Sequence, residues 1–186
     1  MTYDVHALAE KFFFQGHATL TTHTAIPLLI EKLGDIKCIV FPDDGAKKRF
    51  EKMFNPDPKN PTYTLVCCMK EHTGNGDEKR VKVEDGSEGK IREKNTIIVD
   101  DMTRSGETLF KCKGAVMKLG AASVSIFVTH GAFLDSFWEK VGVQLEEIQK
   151  IYTTDSIAGV QELVAEKGLT EKIEVLSLVP RIIEDL

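Results

Sequence analysis

The sequence has 186 residues, of which 42% are hydrophobic and 28% charged, as in ordinary globular domains. This length fits one domain of the usual size. The 24 Lys and Arg residues against 29 Asp and Glu give a net charge of −5, which argues against binding to nucleic acids or anionic membranes. A phosphorylated ligand would therefore have to be held by local backbone dipoles, a few placed cations or a metal ion.

The first ten residues and the cysteines indicate the cellular compartment. Asp4, His6 and Glu10 stand where a signal peptide would have a basic flank and an apolar run. No apolar stretch approaches the ~20 residues of a membrane helix. The four cysteines form no C-x-x-C motif, which favours buried reduced thiols over a zinc site. We expect a cytoplasmic protein without membrane association.

Short apolar runs alternate with segments of helical period. The runs rich in Val and Ile are predicted to be strands, namely Ile36–Phe41, Tyr63–Met69, Thr96–Val99, Val124–Thr129, Ile148–Tyr152 and Ile173–Leu178. The predicted helices are Thr24–Leu33, Ala46–Phe54, Gly106–Leu119, Asp135–Val141 and Ala158–Lys167. This alternation predicts a single α/β domain with a central, mainly parallel sheet flanked by helices.

One segment interrupts the alternation. Residues Glu71–Asn95 contain four glycines, many charges and only short apolar pieces. We predict a flexible β-hairpin flap here, with a turn at Asn75-Gly76 and a weak strand over Arg80–Val83. A connection of this length inside an α/β domain is typically functional or disordered.

The most informative segment is Thr96–Thr108, where a hydrophobic strand ends in Asp100 and Asp101 and a polar turn leads into a helix. Such a turn lies at the carboxyl end of a parallel strand, where α/β sheets bind ligands. Its hydroxyl groups and the amides at the helix start favour an anion, and Gly106 lets the backbone approach a phosphate. Carboxylates can accept hydrogen bonds from sugar hydroxyls and help to hold Mg²⁺. The pattern predicts a phosphorylated sugar ligand, the alternative being an acidic helix cap followed by a turn.

The stretch IIVDDMTRSGET resembles the fingerprint of the type I phosphoribosyltransferase fold, the loop that binds 5-phosphoribosyl 1-pyrophosphate (PRPP). Many nucleobase transferases and the PRPP synthetases share this loop. The resemblance therefore implies the fold and the ligand, and leaves the reaction open.

Further segments resemble the PRPP synthetases, also called ribose-phosphate pyrophosphokinases. These are FPDDGAKKRF at 41–50, VTHGAF at 128–133 and TTDSI at 153–157. The segments that resemble the phosphate-independent plant class are DVHAL at 4–8, SFWEKV at 136–141 and IEVLSL at 173–178. The resemblance extends from about Asp4 to Leu186.

The resemblance implies a set of site residues. In this family an oxygen of ribose 5-phosphate attacks the β-phosphorus of ATP and AMP leaves, a transfer that depends on positioning and charge stabilisation. The implied site for ribose 5-phosphate or PRPP consists of Asp100, Asp101, Thr103, Arg104, Ser105, Gly106, Glu107 and Thr108. Asp43 and Asp44 are implied to face the ribose or Mg²⁺, and His130 to support the end of a strand. Lys70 and His72 occupy the catalytic Lys-x-Arg positions of the flexible loop.

The sequence departs from the family pattern within the implied site. His72 replaces an arginine that is always charged and can bind phosphate through two donors. Glu107 stands where relatives often have glycine, so its carboxylate has to turn away from a bound phosphate. The flap is also longer, with Thr73–Glu78 inserted before Lys79-Arg80.

The resemblance covers only the second of the two similar domains of a PRPP synthetase. Residues 1–24 are interpreted as a connecting segment and residues 25–186 as the phosphoribosyltransferase-like domain. The ATP site of the family draws heavily on the first domain, so ATP would require a supplied N-terminal half or a partner subunit. We expect the chain alone to be weakly active or inactive, and to form a homo-oligomer.

Two other functions remain open. The chain could be a catalytically impaired homologue that associates with active synthetase subunits and regulates them, in line with His72 and the absent ATP half. It could also be a nucleobase phosphoribosyltransferase that consumes PRPP through the same loop. This last function requires a hood over the base, for which neither terminus offers an obvious segment.

Overall fold

The computed structural model describes residues 1–6, 20–72 and 79–186. In chain order the described elements are β1 (Thr2–Tyr3), β2 (Thr22–His23), α1 (Ile26–Ile30), β3 (Cys38–Phe41), α2 (Asp44–Phe54), β4 (Thr64–His72), β5 (Lys79–Val83), α3 (Glu88–Ile91), β6 (Asn95–Thr103), α4 (Glu107–Lys118), β7 (Ser123–Gly131), α5 (Asp135–Gln144), a 3₁₀ turn (Leu145–Glu147), β8 (Ile151–Thr154), α6 (Val160–Glu166), β9 (Ile173–Leu176) and α7 (Val179–Glu184).

The central sheet has the strand order β5-β4-β3-β6-β7-β8-β9. Every neighbouring pair is parallel except β4 and β5, which form an antiparallel edge hairpin. The chain proceeds from β3 outward to β4, and then returns to add β6 on the other side of β3. This reversal is the topological switch point at which α/β sheets bind ligands.

The sheet separates two layers of apolar side chains. Along β6, Ile98 faces a core shared with α4, α5 and α6, whereas its neighbours Ile97 and Val99 face α1 and α2. All three are fully buried. A strand that is covered on both faces has a continuous apolar sequence, so this segment could be predicted to be a strand. Within the described residues, no helix has the length and apolar character needed to cross a membrane.

The predicted mainly parallel sheet flanked by helices is confirmed, and several element bounds are corrected. The strand predicted over Thr96–Val99 continues to Thr103, because it remains paired with β7 as far as Gly131. The helix predicted over Thr24–Leu33 is only Ile26–Ile30, with a proline in its first turn. The sequence patterns missed the short elements β1, β2, α3 and α7.

The predicted flap is confirmed as a hairpin over its described part. Residues Lys79–Val83 form β5, which pairs with β4 from Cys68 to His72. The turn predicted at Asn75-Gly76 lies outside the described residues. The segment Glu88–Ile91, included in the predicted flap, is a short helix whose Ile91 is fully buried.

The described N-terminal residues pack on the sheet domain. β1 pairs with β2 in parallel. The buried carboxylate of Asp4 accepts hydrogen bonds from the Ala25 amide at 2.9 Å and from Thr129 Oγ1 at 2.7 Å. The Tyr3 hydroxyl donates to Asp185 Oδ2 at 2.7 Å, beyond the end of α7. These contacts attach the segment before α1 to the end of β7 and to the C-terminus.

Substitution of Asp4 tests this attachment. Asp4→Ala leaves a buried amide and a buried hydroxyl without their acceptor, and alanine disfavours the left-handed backbone of this position (φ 42°). We expect the free energy of unfolding in urea to fall by about 3 kcal/mol. The matched variant Asp4→Asn retains one acceptor oxygen and tolerates this backbone, so we expect a loss of about 1 kcal/mol. Equal stability of Asp4→Ala and wild type would contradict the attachment.

Candidate functional site

The switch point brings three carboxylates to one edge of the sheet. Val40 on β3 pairs in parallel with Ile98 on β6, so the residues that follow them leave the sheet side by side. Asp43 caps the start of α2 by accepting the Ala46 amide at 3.1 Å. Asp100 and Asp101 lie in the last part of β6. Asp43, Asp100 and Asp101 therefore lie at the strand ends where a ligand is expected.

Asp101 is almost completely buried, with 4% of its side chain exposed, in a cluster with Arg49 and His6. Its Oδ2 atom lies 2.5 Å from Arg49 Nη1 and 2.7 Å from His6 Nδ1. Its Oδ1 atom accepts the Met102 amide at 2.9 Å. Burial alone would raise the pKa of Asp101, but the hydrogen bonds and the charge of Arg49 hold the pKa below its usual value. Asp101 is therefore a fixed, ionised carboxylate.

Asp100 has the opposite electrostatic environment. Burial raises its pKa to about 8, and the neighbouring charges of Asp101 and Asp43 act in the same direction. Its Oδ1 atom accepts the Asp101 amide at 2.9 Å, which offsets part of the effect. Asp100 thus retains its proton at neutral pH until a cation or a rise in pH removes it.

Arg49 and His6 are the site residues that the sequence analysis missed. Arg49 lies on α2, and its Nη2 atom also donates to the His6 carbonyl at 2.5 Å. Both residues stand in segments with a family resemblance, at 41–50 and 4–8, but no local pattern connects them with Asp101. The sequence could have indicated a partner of this kind only through the general rule that a buried carboxylate needs a cationic partner.

The turn between β6 and α4 is shaped by its own hydroxyl groups. Thr103 Oγ1 accepts the Gly106 amide at 3.1 Å, and Ser105 Oγ accepts the Glu107 amide at 3.4 Å. Glu107 begins α4, and its carboxylate lies 2.8 Å from Lys111 Nζ, one helical turn further on. The carboxylate is therefore drawn along the helix, as a phosphate at the helix start would require.

Gly106 is required at this position by backbone and by packing. Its φ of +70° is in the left-handed region, which side chains disfavour. A Cβ atom here would overlap the Phe110 ring and lie 2.8 Å from Phe137 Cδ2. The two rings hold the start of α4 against α5, so the turn has little freedom to adjust.

The remaining predicted residues take different positions. Arg104 is exposed and Thr108 half-buried beside the turn. Asp44 is exposed in the first turn of α2 and pairs with Lys48 at 2.5 Å, so its carboxylate is directed along the helix. The backbone of Lys70 and His72 lies in β4 opposite Val81 and Lys79. Their side chains are not among the described parts of the structure.

His130 lies near the end of β7 and connects it with two other segments. Its Nε2 atom donates to the Tyr3 carbonyl at 3.0 Å, and its Nδ1 atom lies 2.9 Å from Ser156 Oγ. These contacts agree with the predicted supporting role at a strand end.

The comparisons with known proteins find similarity to ribose-phosphate pyrophosphokinases. No family model matches the sequence. Ribose-phosphate pyrophosphokinase 4 of Arabidopsis thaliana is 35% identical over 193 residues, covering 99% of this chain and 53% of that protein. A crystal structure of phosphoribosylpyrophosphate synthetase from Mycobacterium smegmatis matches with a TM-score of 0.74 at 20% identity, over 98% of this chain and 55% of the other. The chain is homologous to about half of a ribose-phosphate pyrophosphokinase.

A second plant relative gives the same result. Ribose-phosphate pyrophosphokinase 3, mitochondrial, of Spinacia oleracea is 36% identical over 166 residues, or 84% of this chain and 38% of that protein. The chain thus spans about half the length, or less, of the curated relatives it matches. The predicted resemblance to the C-terminal half of the ribose-phosphate pyrophosphokinases, including their plant class, is confirmed. The type I phosphoribosyltransferase fold is confirmed with it.

Substitution of Gly106 tests the construction of the turn. Gly106→Ala adds a methyl group where two phenyl rings leave no space, and it imposes an unfavourable φ. We expect the free energy of unfolding to fall by about 3 kcal/mol. The control is Gly114→Ala in the interior of the same helix, where a Cβ would meet open space. The control should stabilise by about 0.5–1 kcal/mol, and a similar effect of both variants in urea unfolding would contradict the assigned role.

The pH dependence of stability tests the environment of Asp100. Its pKa rises on folding from 3.8 to about 8, so the folded state keeps a proton that the unfolded chain releases. This contribution to stability is complete below pH 4 and is lost as the pH rises through 8. Asp100→Asn lacks this loss, so its free energy of unfolding relative to wild type should increase by up to about 1 kcal/mol per pH unit between pH 5 and 8.

Urea unfolding at several pH values measures the difference. The control Asp85→Asn replaces a carboxylate that is 81% exposed, and its profile should run parallel to that of wild type. A parallel profile for Asp100→Asn as well would show that Asp100 titrates as an ordinary carboxylate.

Proposed function

We propose that this chain binds ribose 5-phosphate and PRPP at the switch point between β3 and β6. It would act as the sugar-phosphate half of a ribose-phosphate pyrophosphokinase, which makes PRPP and AMP from ATP and ribose 5-phosphate. The observation that carries the proposal is the placement of Asp43 and Asp100 at the same sheet edge as the turn over 103–108. Homology over 99% of the chain to such an enzyme supports the reaction.

The proposed roles follow from the chemistry of each group. The 5-phosphate would accept hydrogen bonds from the first amides of α4 and from the hydroxyls of Ser105 and Thr108, where the helix dipole favours an anion. Asp100 would accept the ribose hydroxyls, since both Asp101 oxygens already have protein partners. Asp101 would keep β6 in place through Arg49.

Lys70 and His72 are proposed to act on the phosphoryl group that is transferred. Lysine is a strong point charge for phosphate at any physiological pH, whereas histidine contributes a charge only when it is protonated. With His72 in the arginine position, we expect the chain to be a weaker catalyst than a relative with arginine there. The same observation supports the second candidate function, a regulatory homologue that associates with active synthetase subunits.

We infer that Asp100 and Asp43 would help to hold Mg²⁺. Carboxylate repulsion contributes to the raised pKa of Asp100, and a divalent cation between Asp100 and Asp43 would relieve it. The described residues contain no group of three or more His, Cys, Asp or Glu able to hold a metal ion by themselves. Mg²⁺ is usually bound by one or two carboxylates together with substrate phosphates, which fits this pair. When bound, Mg²⁺ supplies charge neutralisation for the phosphoryl groups.

The proposed reaction requires more than this half of the enzyme. The ATP-binding part would come from an N-terminal half or a partner subunit, and the isolated chain would make little PRPP. Homo-oligomer formation and a cytoplasmic location remain predictions; the spinach relative carries the name mitochondrial.

Calorimetry with ribose 5-phosphate and Mg²⁺ tests the proposed ligand. We expect a dissociation constant of about 1 mM or lower, as for the substrates of most enzymes, and no measurable heat from ribose without phosphate. At pH 9, where Asp100 of the wild type is ionised, Asp100→Asn should bind about tenfold more weakly because a charged acceptor is lost. Asp85→Asn is the matched control and should bind like wild type.

The absence of heat at several times this concentration of ribose 5-phosphate would overturn the proposed ligand. Release of pyrophosphate from PRPP that depends on an added nucleobase would instead identify a nucleobase phosphoribosyltransferase. Co-purification with a full-length synthetase, with no PRPP formed after an N-terminal half is supplied, would favour the regulatory role.

A further inference from the structure

The turn that precedes α4 is held from one side by the segment after β7. Three successive carbonyls of the turn accept hydrogen bonds from this segment. The Ala132 amide donates to the Thr103 carbonyl at 3.0 Å, and the Leu134 amide donates to the Arg104 carbonyl at 2.9 Å. The third contact uses a side chain, since Lys140 Nζ on α5 donates to the Ser105 carbonyl at 3.2 Å.

These contacts fix the directions of the peptide groups in the turn. In a trans peptide the N–H and the C=O point in opposite directions. Because the Arg104 carbonyl is turned towards Leu134, the Ser105 amide points away from the segment after β7. The peptide between Ser105 and Gly106 is held at both ends, by Lys140 on its carbonyl and by the Thr103 hydroxyl on its amide.

Lys140 also brings a charge to the turn. Its side chain is half-buried, and an ammonium group has three donors, of which the Ser105 carbonyl uses one. Lys111, a cation on α4, pairs instead with Glu107 at 2.8 Å. The Lys140 charge therefore acts directly on the turn at the N-terminus of α4, where it adds to the positive end of the helix dipole.

We propose that Lys140 is a positioning residue of the phosphate site. Its ammonium group holds the Ser105–Gly106 peptide in the orientation that directs the first amides of α4 towards a phosphate monoester. Its charge raises the affinity for that anion. This inference rests on the proposed function, in which the turn binds the 5-phosphate of the sugar, and it assigns to α5 a part in that binding.

The test uses variants of the full chain at position 140. Lys140→Met removes the donor and the charge at similar length, Lys140→Gln removes the charge and keeps a polar donor, and Lys140→Arg keeps both. We expect Lys140→Met to weaken binding of ribose 5-phosphate with Mg²⁺ about tenfold, the effect of losing one charged hydrogen-bonding group. Inorganic phosphate, used as a second probe, should lose affinity by a similar factor. The control is Lys118→Met on the exposed side of α4.

Two readouts separate positioning from a purely structural role. Lys140→Arg should restore most of the affinity, because arginine can donate to the same carbonyl and keeps the charge. Affinity in Lys140→Met should also decrease less steeply with added NaCl than in wild type, because one attractive charge is missing. Thermal unfolding, measured in parallel, establishes that each variant is folded at the temperature of the titration. If Lys140→Met does not fold, Lys140→Gln, which lacks only the charge, should still show weaker affinity than wild type and a flatter salt dependence.

The outcomes distinguish this inference from the proposed function. Wild-type binding of ribose 5-phosphate together with unchanged affinity in folded Lys140→Met or Lys140→Gln would overturn the role of Lys140 and leave the ligand intact. An equal loss of affinity in Lys118→Met would also overturn it, because the loss would then come from the net charge of the protein and not from the position of Lys140. Failure of the wild type to bind either probe would overturn the proposed function and this inference together.

Discussion

The ion pair between Arg49 and Asp101 connects three parts of the chain that are distant in sequence. Arg49 belongs to α2, Asp101 to the end of β6, and the same guanidinium also binds the carbonyl of His6. A carboxylate as buried as Asp101 is stable only with a partner of this kind. The pair therefore connects the last part of β6, just before the turn over 103–108, to α2 and to the N-terminal segment.

Two adjacent carboxylates acquire different properties from their surroundings. Asp101 receives a cation and hydrogen bonds, which stabilise its charge, whereas Asp100 receives mainly burial and the repulsion of Asp101 and Asp43. Two residues of the same type thus become an ionised carboxylate and a carboxyl group that keeps its proton at neutral pH. The backbone at the beginning of α4 is also fixed. Two phenyl rings confine Gly106, and hydrogen bonds from Lys140 and to Thr103 hold the peptide that precedes it. Both halves of the site are therefore arranged before a ligand is bound.

Much of this arrangement could be predicted from the sequence because it is local. Apolar runs such as Ile97–Val99 identify strands, and the acidic pair followed by a glycine turn identifies the strand end that carries the site. The cluster of Asp101 with His6 and Arg49 could not be predicted, because its members are separated by up to 95 positions and no periodicity relates them. Strands of two residues, such as β1, are too short to show a period at all. The first helix ends earlier than its apolar pattern indicates, because the amides of Lys32 and Leu33 bond to carbonyls three residues back, as in a turn.

The strand β4 belongs to two different structural environments. From Thr64 to Cys67 it is paired with β3 inside the sheet, and from Cys68 to His72 it is paired with β5. Cys68 and Val83 anchor this second part in the core shared with α4, and Val81 packs against the same core. Lys70 and His72 lie in the part of β4 that is paired with β5. Contacts of these two residues with a bound phosphate would depend on the register between β4 and β5, so a change in that hairpin would alter apparent affinity without any change at the sugar site.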